Sequence, residues 1–214
     1  MTPPIPAARL RLPNTMTSAE TTKLLESVGA IRRGHFQLSS GLHSAAYCQC
    51  ARVLERPAET QKLARALADK FSGVKVDVVA SPALGGIVLG YELARHLKAR
   101  SVFVERGPDG YFALRRFVLA PGERVVIGED VITTGGSTRE TIEVIRQAGG
   151  EVVGVAAIMD RSGGAVALGV PLHALLAQAM QTFPAADCPL CRDAIPLEKP
   201  GSRPDLSSLP RPPQ

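Results

Sequence analysis

The sequence predicts an α/β protein in which a twisted, mostly parallel sheet is flanked by helices. Three observations lead to this fold class. Short runs rich in β-branched residues alternate with helical patterns, as they do in repeated strand–helix–strand units. The run RVVIG at 124–128 is apolar after its first residue, which is typical of a central parallel strand buried on both faces. Glycine-rich segments follow several strands, at the edge where such sheets bind ligands.

The elements can be assigned in chain order. Thr17 and Glu20 have the spacing of a capping box, which predicts a helix that begins there and ends at Gly29. Pro57 suits the first turn of a second helix, and Gly73 suits its end. The remaining pattern predicts strands at 74–80, 101–105, 123–129 and 151–159, helices at 85–97 and 137–148, and a hairpin that joins 101–105 to 111–117 through the turn GPDG.

The two ends of the chain differ in composition from the rest. The first 16 residues hold four prolines and no periodic pattern, which predicts a flexible N-terminal arm. Residues 200–214 are rich in proline and serine, which predicts a disordered tail. We therefore expect one domain at 17–199.

Composition limits the classes of function. A net charge of +5 favours anionic partners, but the positive charges form no long block. Aromatic residues make up 4% of the chain and Trp is absent, which argues against a surface that stacks single-stranded bases. We therefore expect a small phosphate-bearing ligand, and no nucleic acid. The sequence shows no signal peptide and no apolar run long enough for a membrane span, which predicts a cytoplasmic protein without membrane contact.

The four cysteines raise the question of a metal. Cys188 and Cys191 form a C-x-x-C pair, but a structural zinc needs four ligands. Cys48 and Cys50 would have to complete the set. Buried or redox-sensitive thiols are the simpler alternative, so the sequence-based prediction contains no protein metal site. His35 and His43 are expected to be structural, as isolated histidines usually are.

The segment VVIGEDVITTGGST at 125–138 holds the clearest chemical pattern. Its strand delivers Glu129 and Asp130 to the ligand edge, and carboxylates suit the vicinal hydroxyls of a ribose. The amides of the glycine turn and of the next helix's first turn form an anion site. The common nucleotide motifs G-x-x-x-x-G-K-[ST] and G-x-G-x-x-G are absent. The segment therefore predicts a sugar-phosphate site, and a capped strand-to-helix turn is the simpler alternative.

This segment resembles the phosphoribosyl pyrophosphate (PRPP) motif of the type I phosphoribosyltransferase family. The stretch GHFQLSSGLHSAAYCQCARVLERP at 34–57 resembles the N-terminal segment of the orotate phosphoribosyltransferases within that family. SPALGGIVLGYELAR (81–95), ERGPDGYFALRR (105–116) and MDRSGG (159–164) follow in the order of the same branch.

The resemblance implies a fold with a small N-terminal hood. It implies a reaction of pyrimidine biosynthesis that joins orotate to PRPP and gives orotidine 5′-monophosphate and pyrophosphate. The implied cofactor is Mg²⁺, bound mainly through PRPP. The implied assembly is a homodimer with active sites shared across the interface, in which the loop at 105–116 reaches the neighbouring subunit.

The resemblance also implies which residues bind PRPP. Arg106 and Asp130 are expected to be catalytic and to contact PRPP, together with Glu129. Lysines and a histidine found in the 105–116 loop of better-known members are missing here, so Arg115 or Arg116 would have to supply positive charge. If both lie on a hairpin strand, only one can reach the site. The 5-phosphate would be wrapped by Val131, Ile132, Thr133, Thr134, Gly135, Gly136 and Ser137.

Other residues are implied to bind orotate and pyrophosphate. Arg161 suits a planar carboxylate, and Tyr47 suits the face of the pyrimidine, with Thr133 nearby. The alternative for Arg161 is an ion pair with its neighbour Asp160. Leu84 and Gly85 belong to the implied pyrophosphate loop at 81–86, where many members carry a lysine at the position of Gly85.

Two other functions stay open. A transferase of the same superfamily would use a purine or uracil in place of orotate. A PRPP-sensing regulator would bind nucleic acid without turnover, because a fold does not settle a function.

Overall fold

The structure is a computed structural model that describes residues 16–200. The predicted arm and tail therefore lie outside the described residues, apart from residues 16 and 200. The helices are α1 (Ser18–Ser27), α2 (Ala51–Leu54), α3 (Pro57–Asp69), α4 (Gly85–Leu97), α5 (Gly136–Gln147) and α6 (Pro189–Arg192). The strands are β1 (Ile31–Gln37), β2 (His43–Cys48), β3 (Val78–Pro82), β4 (Arg100–Arg106), β5 (Phe112–Ala113), β6 (Arg124–Ile132), β7 (Glu151–Asp160), β8 (Leu172–Ala177), β9 (Thr182–Phe183) and β10 (Leu197–Glu198).

The larger sheet has six strands in the order β5-β4-β3-β6-β7-β8. All neighbouring pairs are parallel except β4 and β5, which confirms the predicted mostly parallel α/β fold. β6 and β7 are apolar because both faces are covered, and their central residues are buried. The strand predicted at 74–80 was placed too early, since pairing with β4 and β6 begins only at Val78.

The smaller sheet forms the hood, with strand order β10-β1-β2-β9. β1 and β2 form an antiparallel hairpin, and β9 and β10 add one short strand to each side. The hood is therefore built on the expected N-terminal hairpin, and the C-terminal region adds one strand to each side. These two added strands were not predicted, because β9 and β10 are two residues long, too short to leave a periodic pattern.

Local sequence explains the helices that frame the sheet. Thr17 and Glu20 form the predicted capping box at the start of α1. Pro57 occupies the first turn of α3, as predicted. One hydrophobic cluster combines residues of the hood, of α3 and of the larger sheet, among them Ile31, Leu63 and Met159. The single domain at 17–199 stays a prediction. None of the helices between residues 16 and 200 combines the length and apolar character needed to cross a membrane.

The hairpin after β4 is shorter than predicted. Gly107 and Gly110 close the expected turn, and Gly110 has a φ of 82°, a backbone conformation that glycine adopts at little cost. The second strand, β5, ends at Ala113, so Arg115 and Arg116 lie in a bend beyond it. The premise that strand alternation separates these two arginines is therefore wrong.

Candidate active site

The topology creates one crevice at the carboxyl ends of the central strands. β3 and β6 are neighbours, but the chain leaves β3 for β4 on one side and leaves β6 for β7 on the other. Ligands of open α/β sheets bind at such a switch point. The two loops that leave this point are 81–86 after β3 and 133–137 after β6, which are the two segments that sequence analysis assigned to phosphate groups.

Glu129 and Asp130 lie near the end of β6, at this crevice. Glu129 is buried, and burial together with the negative charge of Asp130 raises the pKa of Glu129 to about 8. Burial also raises the pKa of Asp130, although its Oδ1 accepts a hydrogen bond of 2.9 Å from the Val131 amide. At neutral pH Glu129 is therefore mostly protonated. Such a pair accepts hydrogen bonds from ligand hydroxyls without the full repulsion of two anions.

The loop 133–137 leads directly into α5 and leaves its amides free. Gly135 is the N-cap of α5, has a φ of 75°, and makes no side-chain cap. Within residues 16–200, no hydrogen bond uses the amides of 133–138. First-turn amides of a helix lack intrahelical partners, so these groups point a partial positive charge at an anion. A cleft of about 100 Å³ lies over them, lined by Glu129 and by residues 131–138.

Packing at Gly135 and hydrogen bonds from Arg139 hold the 133–137 loop in place. A Cβ on Gly135 would lie 2.7 Å from Val166 Cγ1, so no side chain fits there. Arg139 donates hydrogen bonds to the carbonyl oxygens of Thr134 and Ala167, which ties the loop to the segment after β7. This positioning role of Arg139 could not be predicted from the sequence, because a charge in the first turns of a helix gives no sign of a distant carbonyl partner.

The loop at 81–86 lies beside the acids. A Cβ on Gly85 would meet Asp130 Oδ1 at 3.0 Å, and one on Gly86 would meet the Gly128 carbonyl oxygen at 2.8 Å. Glycines here therefore let the loop and α4 approach β6 closely. Leu84 is the N-cap of α4 and is 84% exposed, and the peptide bond between Ala83 and Leu84 is cis. A lysine at position 85 would not fit beside Asp130 without a shift of that carboxylate.

Arg161 follows β7 at the same edge of the sheet. Its amide donates a hydrogen bond of 2.8 Å to the Ile132 carbonyl oxygen, which places it next to the end of β6. Its Nε is buried and has no hydrogen-bond partner within residues 16–200. The predicted alternative was a pair with Asp160. The carboxylate of Asp160 instead accepts hydrogen bonds from Ser162 and from the Gly164 amide, so the guanidinium remains available for a ligand.

Tyr47 lies on β2, and its ring centroid is 5.8 Å from that of Phe36. Neighbouring strand residues point to opposite faces, so Tyr47 and Cys48 face different ways. The pKa of the Cys48 thiol is lowered by a hydrogen bond from Cys50 and further by the positive charge of Arg161. An orotate contact by Tyr47 stays a prediction, and its described contacts are those of a packing residue.

Three arginines lie on or beside the 105–116 loop, and their surroundings differ. Arg106 forms an ion pair of 3.0 Å with Glu140 on α5, and its guanidinium lies 4.0 Å from the centre of the Phe112 ring. Arg116 forms an ion pair of 3.0 Å with Glu105. Arg115 lies against Gly107 and has no ion pair with any residue between 16 and 200.

Comparisons with known proteins agree with this geometry. A family model described as "Phosphoribosyl transferase domain" matches residues 50–168. The orotate phosphoribosyltransferase of Caldicellulosiruptor bescii is 52% identical over 182 residues, which are 85% of this chain and 95% of that protein. The chain belongs to the orotate phosphoribosyltransferase family. Membership confirms the resemblance on which the sequence-based prediction depended.

Solved structures with a similar fold include phosphoribosyltransferases named for different bases. An orotate phosphoribosyltransferase from Aeropyrum pernix is 28% identical, with a TM-score of 0.59, and the match covers 72% of this chain and 91% of that one. An adenine phosphoribosyltransferase from Rhodothermus marinus is also 28% identical, with a TM-score of 0.57, and the match covers 72% and 98%. Proteins named for two different bases thus share the fold almost equally, so the fold alone does not select the base.

Proposed function

We propose that this chain transfers the phosphoribosyl group of PRPP to orotate, giving orotidine 5′-monophosphate and pyrophosphate. One observation carries the proposal: the buried Glu129 and the half-buried Asp130 stand directly before a loop whose amides have no partner within residues 16–200. A ligand with vicinal hydroxyls and a terminal phosphate would bind both the carboxyls and the loop amides. Membership of the orotate phosphoribosyltransferase family supports orotate as the acceptor.

In the proposed reaction the chain positions PRPP and complements its charge. Glu129 and Asp130 accept hydrogen bonds from the ribose hydroxyls and lie near the positive charge that develops on the sugar ring. The amides of 133–138 hold the 5-phosphate. An orotate nitrogen attacks the anomeric carbon, and the bond to pyrophosphate breaks. Positioning and electrostatics account for the catalysis without a covalent intermediate.

The orotate anion needs a matching cation, and Arg161 supplies it. The carboxylate and ring carbonyls of orotate are planar acceptors, which suit a guanidinium fork. The Arg161 Nε is buried and has no hydrogen-bond partner among the residues that the structure describes, and a buried donor gains most from an acceptor that a ligand brings.

The departing pyrophosphate needs positive charge and close backbone groups. Gly85 and Gly86 allow that approach beside Asp130. Mg²⁺ fits the site, because its carboxylate and hydroxyl oxygens are the ligands that this ion prefers; when bound through PRPP, it would neutralise charge on the leaving group. Arg106 and Arg115 are the proposed loop cations, of which Arg106 must first leave Glu140 to reach a ligand.

A homodimer with shared active sites is part of the proposal. Leu84, Val88 and Tyr91 lie on one face of α4 at helical spacing and are 84%, 50% and 66% exposed. An apolar groove of about 320 Å³ runs beside Val88 and Tyr91. A second copy of the chain would cover this face, and because Leu84 belongs to the 81–86 loop, the interface would adjoin the active site. A cytoplasmic location stays a prediction.

The test is orotate-dependent release of pyrophosphate from PRPP, with and without Mg²⁺. The proposal predicts release with orotate, little release with adenine or uracil, and loss of activity without Mg²⁺. Asp130→Asn should lower kcat by about 100-fold or more while the circular dichroism spectrum stays unchanged. Glu55→Gln, which changes an exposed acid outside the site, is the matched control.

The two alternatives are distinguished by the same assay. Release that depends on a purine or uracil would identify another transferase of the superfamily. Tight PRPP binding without turnover on any base would favour a regulator, and the proposed reaction would then be wrong.

A further inference from the structure

Four metal-binding side chains meet in the hood, away from the substrate crevice. His35 on β1 and His43 on β2 face Cys188 and Cys191, which are the N-cap and a residue of α6. Their ligand atoms all lie within 4.8 Å of one another. Both histidines and Cys188 are buried, and Cys191 lies at the surface. The cluster joins residues about 150 positions apart in the sequence, so no local pattern accounts for it.

The spacing of the four atoms agrees with a tetrahedral site. The Cys191 Sγ lies 3.3 Å from His43 Nδ1 and 3.7 Å from His35 Nε2, and Cys188 Sγ lies 3.5 Å from His35 Nε2. With Zn–S of about 2.3 Å and Zn–N of about 2.05 Å, a tetrahedron has S···N edges of about 3.5 Å and an N···N edge of about 3.3 Å. The two histidine nitrogens are 2.8 Å apart, so binding requires them to separate by about 0.5 Å.

A backbone carbonyl orients the His35 ring so that its Nε2 can bind a metal. Its Nδ1 lies 2.8 Å from the Ile195 carbonyl oxygen, which can only accept a hydrogen bond. The proton of a neutral His35 ring therefore resides on Nδ1, and Nε2 directs its lone pair into the cluster. A backbone carbonyl that fixes the ring in this way is a common outer partner of metal-bound histidine.

We propose that His35, His43, Cys188 and Cys191 bind one structural zinc ion. Two thiolates and two imidazoles in tetrahedral arrangement are the donor set that selects zinc. Four protein ligands leave no open position, so the ion would have a structural and not a catalytic role. The sequence-based zinc hypothesis paired the C-x-x-C with Cys48 and Cys50. Those two thiols contact each other at 3.9 Å, and Cys50 lies near the Asp130 carbonyl oxygen, so neither joins the cluster.

The proposed ion would hold the C-terminal part of the hood to the β1–β2 hairpin. β9 and β10 are each two residues long, and each pairs with the hairpin at two positions. Strands this short contribute little stability by themselves. Zinc would bind both ends of α6 to β1 and β2 and thereby complete the hood sheet. This inference concerns the architecture of the hood and does not depend on which base the enzyme uses.

The experiment measures metal in the full chain purified without chelator. We expect about one zinc per chain by mass spectrometry of the metal content. Cobalt added to the metal-free protein should give the intense visible bands of a tetrahedral ion and a thiolate charge-transfer band. Cys191→Ser and His43→Asn should remove most of the zinc, whereas Cys48→Ser, the matched thiol control outside the cluster, should retain it. Chelator should lower Tm in the unmodified chain and in Cys48→Ser.

Two results would overturn the proposal. One is a chain that binds neither zinc nor cobalt with a thiolate band, which leaves a hydrogen-bonded histidine pair beside two thiols. The other is a mass lower by two hydrogens and a Cys188–Cys191 disulfide in the freshly purified protein. Because the cobalt spectrum is read on the unmodified chain, a variant that fails to fold does not decide the result.

Discussion

Glu129 is 7% exposed beside a second carboxylate, and this residue makes stability depend on pH. Its pKa is about 8 in the folded protein against a usual value of 4.5. Between these values the folded state binds more protons than the unfolded state, so the stabilising effect of this proton is complete below the lower value and is lost as pH rises through the higher one. We expect the ligand-free protein to lose on the order of 3 kcal/mol from this group between pH 5 and pH 9.

Glu129→Gln should remove that loss, because an amide does not titrate. Urea unfolding of the ligand-free protein at several pH values measures it, and the variant should show a flatter dependence than the unmodified chain. Glu151→Gln, a change at an exposed glutamate, should keep the original slope. Equal slopes in all three proteins would contradict the assignment.

Arg161 carries a second prediction at the residue scale. Its buried Nε has no hydrogen-bond partner within residues 16–200, so a hydrogen bond to orotate would be gained without breaking one inside the protein. Arg161→Lys keeps the charge but loses the fork, which should raise the KM for orotate by about 10- to 100-fold, the equivalent of one charged hydrogen bond. The KM for PRPP should change little. Arg146→Lys, on an exposed position of α5, is the control, and an unchanged orotate KM in both variants would remove Arg161 from the site.

At the scale of elements, the proposed phosphate site depends on the backbone conformation at the start of α5. Gly135 and Gly149 flank the same helix, with φ values of 75° and 86°. Alanine at either position should cost about 1–2 kcal/mol, because a Cβ disfavours this conformation. Only Gly135→Ala also displaces the 133–137 loop, since its Cβ would lie 2.7 Å from Val166, whereas a Cβ on Gly149 would lie 3.7 Å from the nearest atom, in Pro121.

We therefore expect both variants to unfold at lower urea, but only Gly135→Ala to raise the KM for PRPP, by about tenfold or more. Kinetics at matched folded fractions measure this difference. Equal KM values would mean that the loop does not bind the 5-phosphate.

The loop after β4 gives the next prediction. Arg115 has no ion pair with a described residue, while Arg116 is engaged by Glu105. Arg115→Ala should therefore lower kcat more than Arg116→Ala, by about tenfold, because only the unengaged guanidinium can meet the pyrophosphate without breaking an ion pair. Steady-state kinetics at saturating PRPP measure the ratio. A larger loss in Arg116→Ala would reverse the assignment.

The elements also show how much of the fold could be predicted from the sequence. α4 was predicted at its observed bounds, and β6 and β7 were found because each contains the apolar run that is typical of a central parallel strand. β1 was missed because its sequence, IRRGHFQ, is mostly polar and its pairing shifts between Arg33 and Phe36. The acids and the glycine loop were predicted because they are contiguous. The surroundings of Arg106, Arg115 and Arg161 depend on distant elements, so sequence could name these residues but not their partners.

At the scale of the whole molecule, the hood could not be predicted as it is built. Its outer strands come from the C-terminal region, and the side chains at its centre are separated by about 150 residues. The C-x-x-C pair suggested a metal, but the histidines were set aside because nothing along the chain connects them to the cysteines. The four side chains meet only in the folded chain, so the sequence could name Cys48 and Cys50 as possible partners of the C-x-x-C pair but gave no sign of the histidines.

Assembly supplies the last prediction. Val88 lies on the exposed apolar face of α4, beside the groove that a second copy would cover, and Val118 is an equally apolar residue, 84% exposed, beyond β5. Val88→Glu would place a charge in the proposed interface, where its desolvation is costly, and should produce a monomer with little activity. Val118→Glu should remain a dimer with unchanged activity. Sedimentation velocity and turnover measured at the same concentrations test both outcomes. A Val88→Glu protein that remains dimeric would place the interface on another face, and a fully active monomer would show that each subunit completes its own site.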